Sequence, residues 1–170
     1  KRQHLLIDAF SLLAEEFPDW QVELWGADYD KPYVASLKAR IKKARLEKQV
    51  RICGTTKNME KVWEMTDIFA FPSHHEGFPL ALTEAMNCGI PAVGYRECPA
   101  VNELIEDGKN GFLCEEGVVP LAEALRTLMK DGELRRKMGM AGRLAMRAYR
   151  PDVVWNSWET LLQKAVNGEK

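Results

Sequence analysis

Between Arg2 and Phe17 the apolar residues Leu5, Leu6, Ala9, Phe10, Leu12, Leu13 and Phe17 recur at steps of three and four, with charge on the other side. That period predicts an amphipathic helix, ended before Pro18. Then the pattern changes to short apolar runs separated by turns. Gln21–Ala27, Val50–Gly54, Asp67–Ser73, Ile90–Tyr95 and Gly111–Cys114 read as strands. Between them lie predicted helices at Lys31–Leu46, Met59–Met65, Pro79–Cys88 (closed by Gly89) and Ala100–Ile105, and three more begin at Pro120, Gly132 and Pro151.

Strands that are nearly all apolar and alternate with helices imply a parallel sheet covered on both faces. The predicted class is therefore α/β with a doubly wound parallel sheet, forming a single domain over residues 1–170. Ligands of such sheets bind outside the carboxyl ends of the strands, so the loops after Gly26, Gly54, Ser73 and Tyr95 are the places to search.

Composition narrows the partners. The 170 residues are 46% apolar and 29% charged, with Lys+Arg 24 against Asp+Glu 25. Disorder and a strongly basic nucleic-acid surface are both poor readings of that balance. Asp8, Glu15 and Glu16 interrupt the opening apolar run, which argues against a signal peptide, and no stretch approaches the roughly 18 apolar residues that span a bilayer. Cys53, Cys88, Cys98 and Cys114 lack paired metal-ligand spacing, so the expectation is a cytoplasmic protein with buried, free structural thiols. The start at Lys1, already inside a helical pattern, reads as a cut from something longer.

The chemistry concentrates in Phe71–Tyr95, which leaves a strand, makes a polar turn and starts a helix with Pro79 near its first position. Glu76 sits in the turn and Glu84 about five residues into the helix, roughly 7–8 Å along its axis, so both carboxylates can face one cleft. Unpaired N–H groups and the positive dipole end of the helix suit a phosphate or diphosphate. Carboxylates beside it accept hydrogen bonds only, which suits the vicinal hydroxyls of a ribose or a sugar.

This stretch resembles the E-x7-E signature of the retaining glycosyltransferases of family 4, or group 1, which have the GT-B fold. KRQHLLIDAF and NELIEDGKNGFLC are similar to the family's flanking segments, so the resemblance covers the whole chain. It implies the carboxy-terminal, Rossmann-like, donor-binding half of that fold, with the acceptor-binding amino-terminal domain as its partner. Glu76 would contact hydroxyls of the transferred sugar and Glu84 those of the ribose. Gly77, Phe78, Pro79 and Leu80 would line the diphosphate and sugar, and Lys1 would stabilise charge on the departing nucleotide. Thr56, Lys57 and Asn58 fall where the nucleobase is received. The implied donor is a UDP- or GDP-sugar, with no metal or other cofactor; the acceptor is a glycan or lipid that the sequence does not specify. Family enzymes often touch membranes, so the full-length protein is expected in the cytoplasm, peripherally at the inner face of the membrane.

The chain departs from the family pattern at Pro79, where many relatives carry glycine, at Arg2, in place of the glycine after the lysine, and at Cys98 and Pro99, in place of a glycine-rich loop. Other readings of the fold are a nucleotide-sugar epimerase, a phosphorylase, or a nucleotide-binding module inactive by itself. Asp28-Tyr29-Asp30 could hold Mg2+, but Asp30 as a helix cap is the preferred account. His74 and His75 lack metal-ligand spacing, and His4 reads as solvated. The basic run Lys38–Lys48 reads as a solvated helix face. Trp155, Trp158, Leu161, Leu162 and Ala165 form a stripe that reads as core, or as a face turned toward the other domain.

Overall fold

The computed structural model describes residues 1–168. In chain order they form α1 (Gln3–Ser11), β1 (Val22–Trp25), α2 (Lys31–Lys43), β2 (Val50–Gly54), α3 (Met59–Glu64), β3 (Phe69–Phe71), α4 (Leu80–Asn87), β4 (Ala92–Tyr95), α5 (Val101–Leu104), β5 (Gly111–Cys114), α6 (Val118–Lys130), α7 (Gly132–Ala145), a 3-10 turn at Met146–Tyr149, and α8 (Pro151–Val166). The strand and helix alternation follows the apolar pattern. The first helix is shorter than the period predicts: it ends at Ser11, and the chain continues to Phe17 in turns such as Leu13 N–H to the Phe10 carbonyl.

Every ladder is parallel, but the expected sheet is divided. β1 pairs with β2, and β3, β4 and β5 pair in that order, with no ladder between the two groups among the described residues. One buried cluster nevertheless runs from Leu24 and Val50 on the first ladder to Val93 and Leu113 on the second. α1 packs against both α2 and α6, with Ile7 and Phe10 completely or nearly completely buried, and Leu13, in the turns that follow it, is buried too.

Local chemistry fixes several boundaries. Asp30 Oδ1 accepts the Tyr33 N–H at 2.9 Å, so the acidic residue of the D-x-D triplet caps α2 as expected. On α2 the basic residues face outward while Leu37 and Ile41 are buried. Gly89, at φ +81°, closes α4. A Cβ on Gly139 would lie 1.8 Å from the Gly89 carbonyl oxygen, so α7 and the end of α4 touch backbone to backbone.

Three expectations are corrected. Of the four cysteines only Cys98 is buried; Cys53 and Cys114 are half-buried and Cys88 is exposed, although all are free thiols. His4 is not simply solvated: its Nδ1 lies 3.1 Å from the Tyr33 hydroxyl, and desolvation, then the Arg40 charge, lowers its pKa. The stripe on α8 is not core, since Trp155 is 72% and Trp158 55% exposed and no residue of that helix is buried.

Candidate active site

Parallel strands deliver their carboxyl ends to one rim. β3 brings Phe71, Pro72 and Ser73 there, β4 brings Tyr95, and β5 leads to Glu116 and Gly117. The amino end of α1 arrives at the same rim, because Lys1 Nζ donates to Glu76 Oε1 at 2.5 Å and lies 5.2 Å from the centre of the Phe71 ring. The Ser73 hydroxyl donates to the same Glu76 oxygen. The Glu76 side chain is only 10% exposed. Burial pushes its carboxyl up, but the hydrogen bonds from Lys1 and Ser73 and the Lys1 charge outweigh this and hold it below the ordinary carboxylate range.

The residues after Glu76 form the approach to α4. Gly77 and Phe78 are exposed, Pro79 is buried at the N-cap position, one residue earlier than its predicted place inside the helix, and Leu80 is exposed in the first turn. The Pro79 carbonyl accepts from Leu82 and Thr83, so the first N–H groups of α4 have no partner within the helix. Glu84 is exposed and, four residues after Leu80, shares its helix face. Phe78 meets Tyr149 of the 3-10 turn with ring centres 5.7 Å apart.

Thr56 and Asn58 lie in the loop after β2, where both have a structural task. Thr56 Oγ1 accepts the Asn58 N–H at 3.1 Å, and Asn58 Oδ1 accepts the Lys61 N–H at 3.3 Å, capping α3. The structure thus brings Lys1 and Glu76 into contact and places Thr56 and Asn58 on a separate loop.

Sequence reasoning assigned no role to Ser73, Tyr95 or Glu116, and noted Arg2 only as a departure from the family pattern. Arg2 Nη1 donates to Glu116 Oε1 at 2.6 Å and Nε to the Pro72 carbonyl at 3.3 Å, and the guanidinium carbon is 5.1 Å from the Tyr95 ring centre. His74 Nδ1 lies 3.7 Å from the other Glu116 oxygen. Among the described residues no group of three or more His, Cys, Asp or Glu is disposed to hold a metal ion.

Residues 1–145 match the family described as glycosyl transferases group 1. The chain belongs to that family. A glycosyltransferase of Haemophilus influenzae is 30% identical over 158 residues, spanning 92% of this chain and 44% of its own length. Anabaena HepE, solved in complex with UDP and glucose, superposes with a TM-score of 0.84 at 29% identity, covering 96% of this chain and 45% of that one. The carboxy-terminal domain of the group 1 protein LpcC from Francisella tularensis superposes with a TM-score of 0.78 at 26% identity, over 89% of this chain and 80% of that one. The fold is accordingly the C-terminal, Rossmann-like half of GT-B, and the chain spans less than half the length of the curated relatives it matches.

Proposed function

We propose that this chain is the donor-binding half of a glycosyltransferase that moves a sugar from a UDP- or GDP-sugar to a glycan or lipid acceptor with retention of anomeric configuration. The observation that carries the reading is the contact of Lys1 with Glu76 at the carboxyl ends of parallel strands, beside the open amino end of α4. Likeness to a protein solved with UDP and glucose supports a nucleotide-sugar donor.

In this reading the donor diphosphate takes Lys1 away from Glu76. The ammonium then faces the charge that grows on the departing nucleotide, while the free Glu76 carboxylate accepts hydrogen bonds from sugar hydroxyls. Backbone groups of Gly77, Phe78 and Leu80 approach the sugar and diphosphate; Pro79, lacking an N–H, shapes the turn instead of donating. Glu84 accepts from the ribose hydroxyls. Asn58 retains its amide N–H groups for a nucleobase, since its oxygen caps α3, and Thr56 holds the loop in shape. The chemistry is positioning and leaving-group stabilisation, with no metal ion and no protein nucleophile.

The apolar stripe of α8, which includes Leu161 and Leu162 at 57% and 59% exposure, is read as the face that packs toward the amino-terminal domain. No helix among the described residues is long and apolar enough to cross a membrane, and any membrane contact is assigned to the rest of the protein.

The test is a thermal-shift screen of nucleotide-diphosphate sugars on the full-length protein, followed by product analysis with the stabilising donor and an acceptor panel. A donor at saturating excess raises the melting temperature. Stabilisation by no nucleotide sugar, or a product with inverted anomeric configuration, overturns the reading.

A further inference from the structure

Arg2 adopts φ 53° and ψ 40°, a left-handed conformation that a side chain disfavours. Something must hold it there. Its side chain is 20% exposed, and the guanidinium is gripped from three directions: the Pro72 carbonyl at 3.3 Å, the Glu116 carboxylate at 2.6 Å and the Tyr95 ring at 5.1 Å. Nη2 is buried without an oxygen acceptor, so the Tyr95 ring is the electron-rich surface available to the cation. Tyr95 in turn donates its hydroxyl to the Gly117 carbonyl at 3.2 Å.

These contacts join the start of α1 to the ends of all three strands of the second ladder. Both partners of the Lys1–Glu76 contact are neighbours of the clamp. Lys1 is bonded directly to Arg2, and Pro72 precedes Ser73, whose hydroxyl donates to Glu76. The left-handed turn at Arg2 sets the direction in which Lys1 leaves α1.

We propose that Arg2 is a positioning residue of the donor site, whose clamp on Pro72, Tyr95 and Glu116 fixes the turn that aims Lys1. This rests on the glycosyltransferase reading above. Arg2 does not touch the donor; it acts through Lys1 and Glu76. Glycine at this position would adopt the turn without strain but leave it free to vary. Lysine would keep the charge but lose the planar fork that serves a carbonyl and a carboxylate together.

The experiment uses the full-length protein and a donor panel of UDP-glucose, UDP-N-acetylglucosamine and GDP-mannose, with nucleotide release as the readout. For the donor that turns over fastest, kcat and KM are measured for the parent, R2G, R2K and E116Q, and for R2G combined with E116Q. The expected result is a fall in kcat of about tenfold for R2G, the scale of a modest misalignment, with KM changed by less than about threefold. R2K recovers little of the loss. E116Q lowers kcat in the same direction, and the double variant falls no further than R2G, because both remove one bridge. A folded R2G with parental kcat overturns the proposal, as does a loss confined to KM. Should R2G fail to fold, E116Q decides alone, since Glu116 is half exposed. Absence of turnover and of UDP or GDP binding by the parent overturns the glycosyltransferase reading, and the role of Arg2 falls with it.

Discussion

Lys1 Nζ and Glu76 Oε1 meet at 2.5 Å across 75 positions of sequence, and the Ser73 hydroxyl converges on the same oxygen. The cation and the carboxylate to which we assign separate tasks toward a donor thus neutralise each other. Glu76→Gln keeps the shape, removes the charge proposed to accept from sugar hydroxyls, and leaves Lys1 without its counter-charge. In the full-length protein it is expected to lower kcat by roughly a hundredfold or more, the scale of losing one preorganised transition-state contact. Steady-state transfer from the preferred nucleotide sugar measures it.

The same contact gives an acid dependence of stability. In the fold the Glu76 carboxyl is held below the ordinary carboxylate range. A group with a depressed folded pKa stabilises the fold at pH values above its unfolded pKa, and that contribution is lost as pH falls through the folded value. The melting-temperature gap between the parent chain and Glu76→Gln is therefore expected to be largest near neutral pH and to close progressively below about pH 4.5. Thermal melts from pH 7 to pH 3 check this.

Glu84 has no such partner in α4 and stands exposed on the helix face that carries Leu80. In its proposed role as acceptor from ribose hydroxyls it is expected to matter for nucleotide affinity. Glu84→Ala should weaken UDP or GDP binding by about 10- to 100-fold, the equivalent of one hydrogen-bonded charged group, and leave the melting temperature of the free protein nearly unchanged. Calorimetry with each nucleotide measures the first, and a thermal melt the second.

Gly139 tests the packing beneath α4. A Cβ there would meet the Gly89 carbonyl oxygen at 1.8 Å and its carbon at 2.7 Å, and backbone cannot swing aside as a flexible side chain does. Gly139→Ala is expected to cost about 2–3 kcal/mol, or roughly 5–10 °C in melting temperature for a domain of this size. A differential scanning measurement suffices.

The order of strands and helices was legible because each strand is a short apolar run bounded by turn residues. The cap at Asp30 was legible for the same reason, being a local relation between Asp30 and Tyr33. Glu76 stood out by its place between a strand and a helix only together with the resemblance to the E-x7-E signature. Its counterpart on the rim, Glu116, lies 114 residues from Arg2, and no spacing rule reaches that far. The left-handed turn at Arg2 was equally hidden, because its stabilising contacts come from β3, β4 and the loop after β5. The stripe on α8 has helical period, but periodicity reports an apolar face without saying what covers it. The division of the sheet also lay beyond pattern reading, since strand propensity does not name a strand's neighbour.

The first helix, α1, has a double duty. Among the described residues it lies against a helix of each group of strands, α2 after β1 and α6 after β5. The helix that meets both groups is also the one that carries Lys1 at its tip. A loosening of these contacts would therefore register first as a wandering cation, so turnover should be a finer gauge of this packing than the melting temperature.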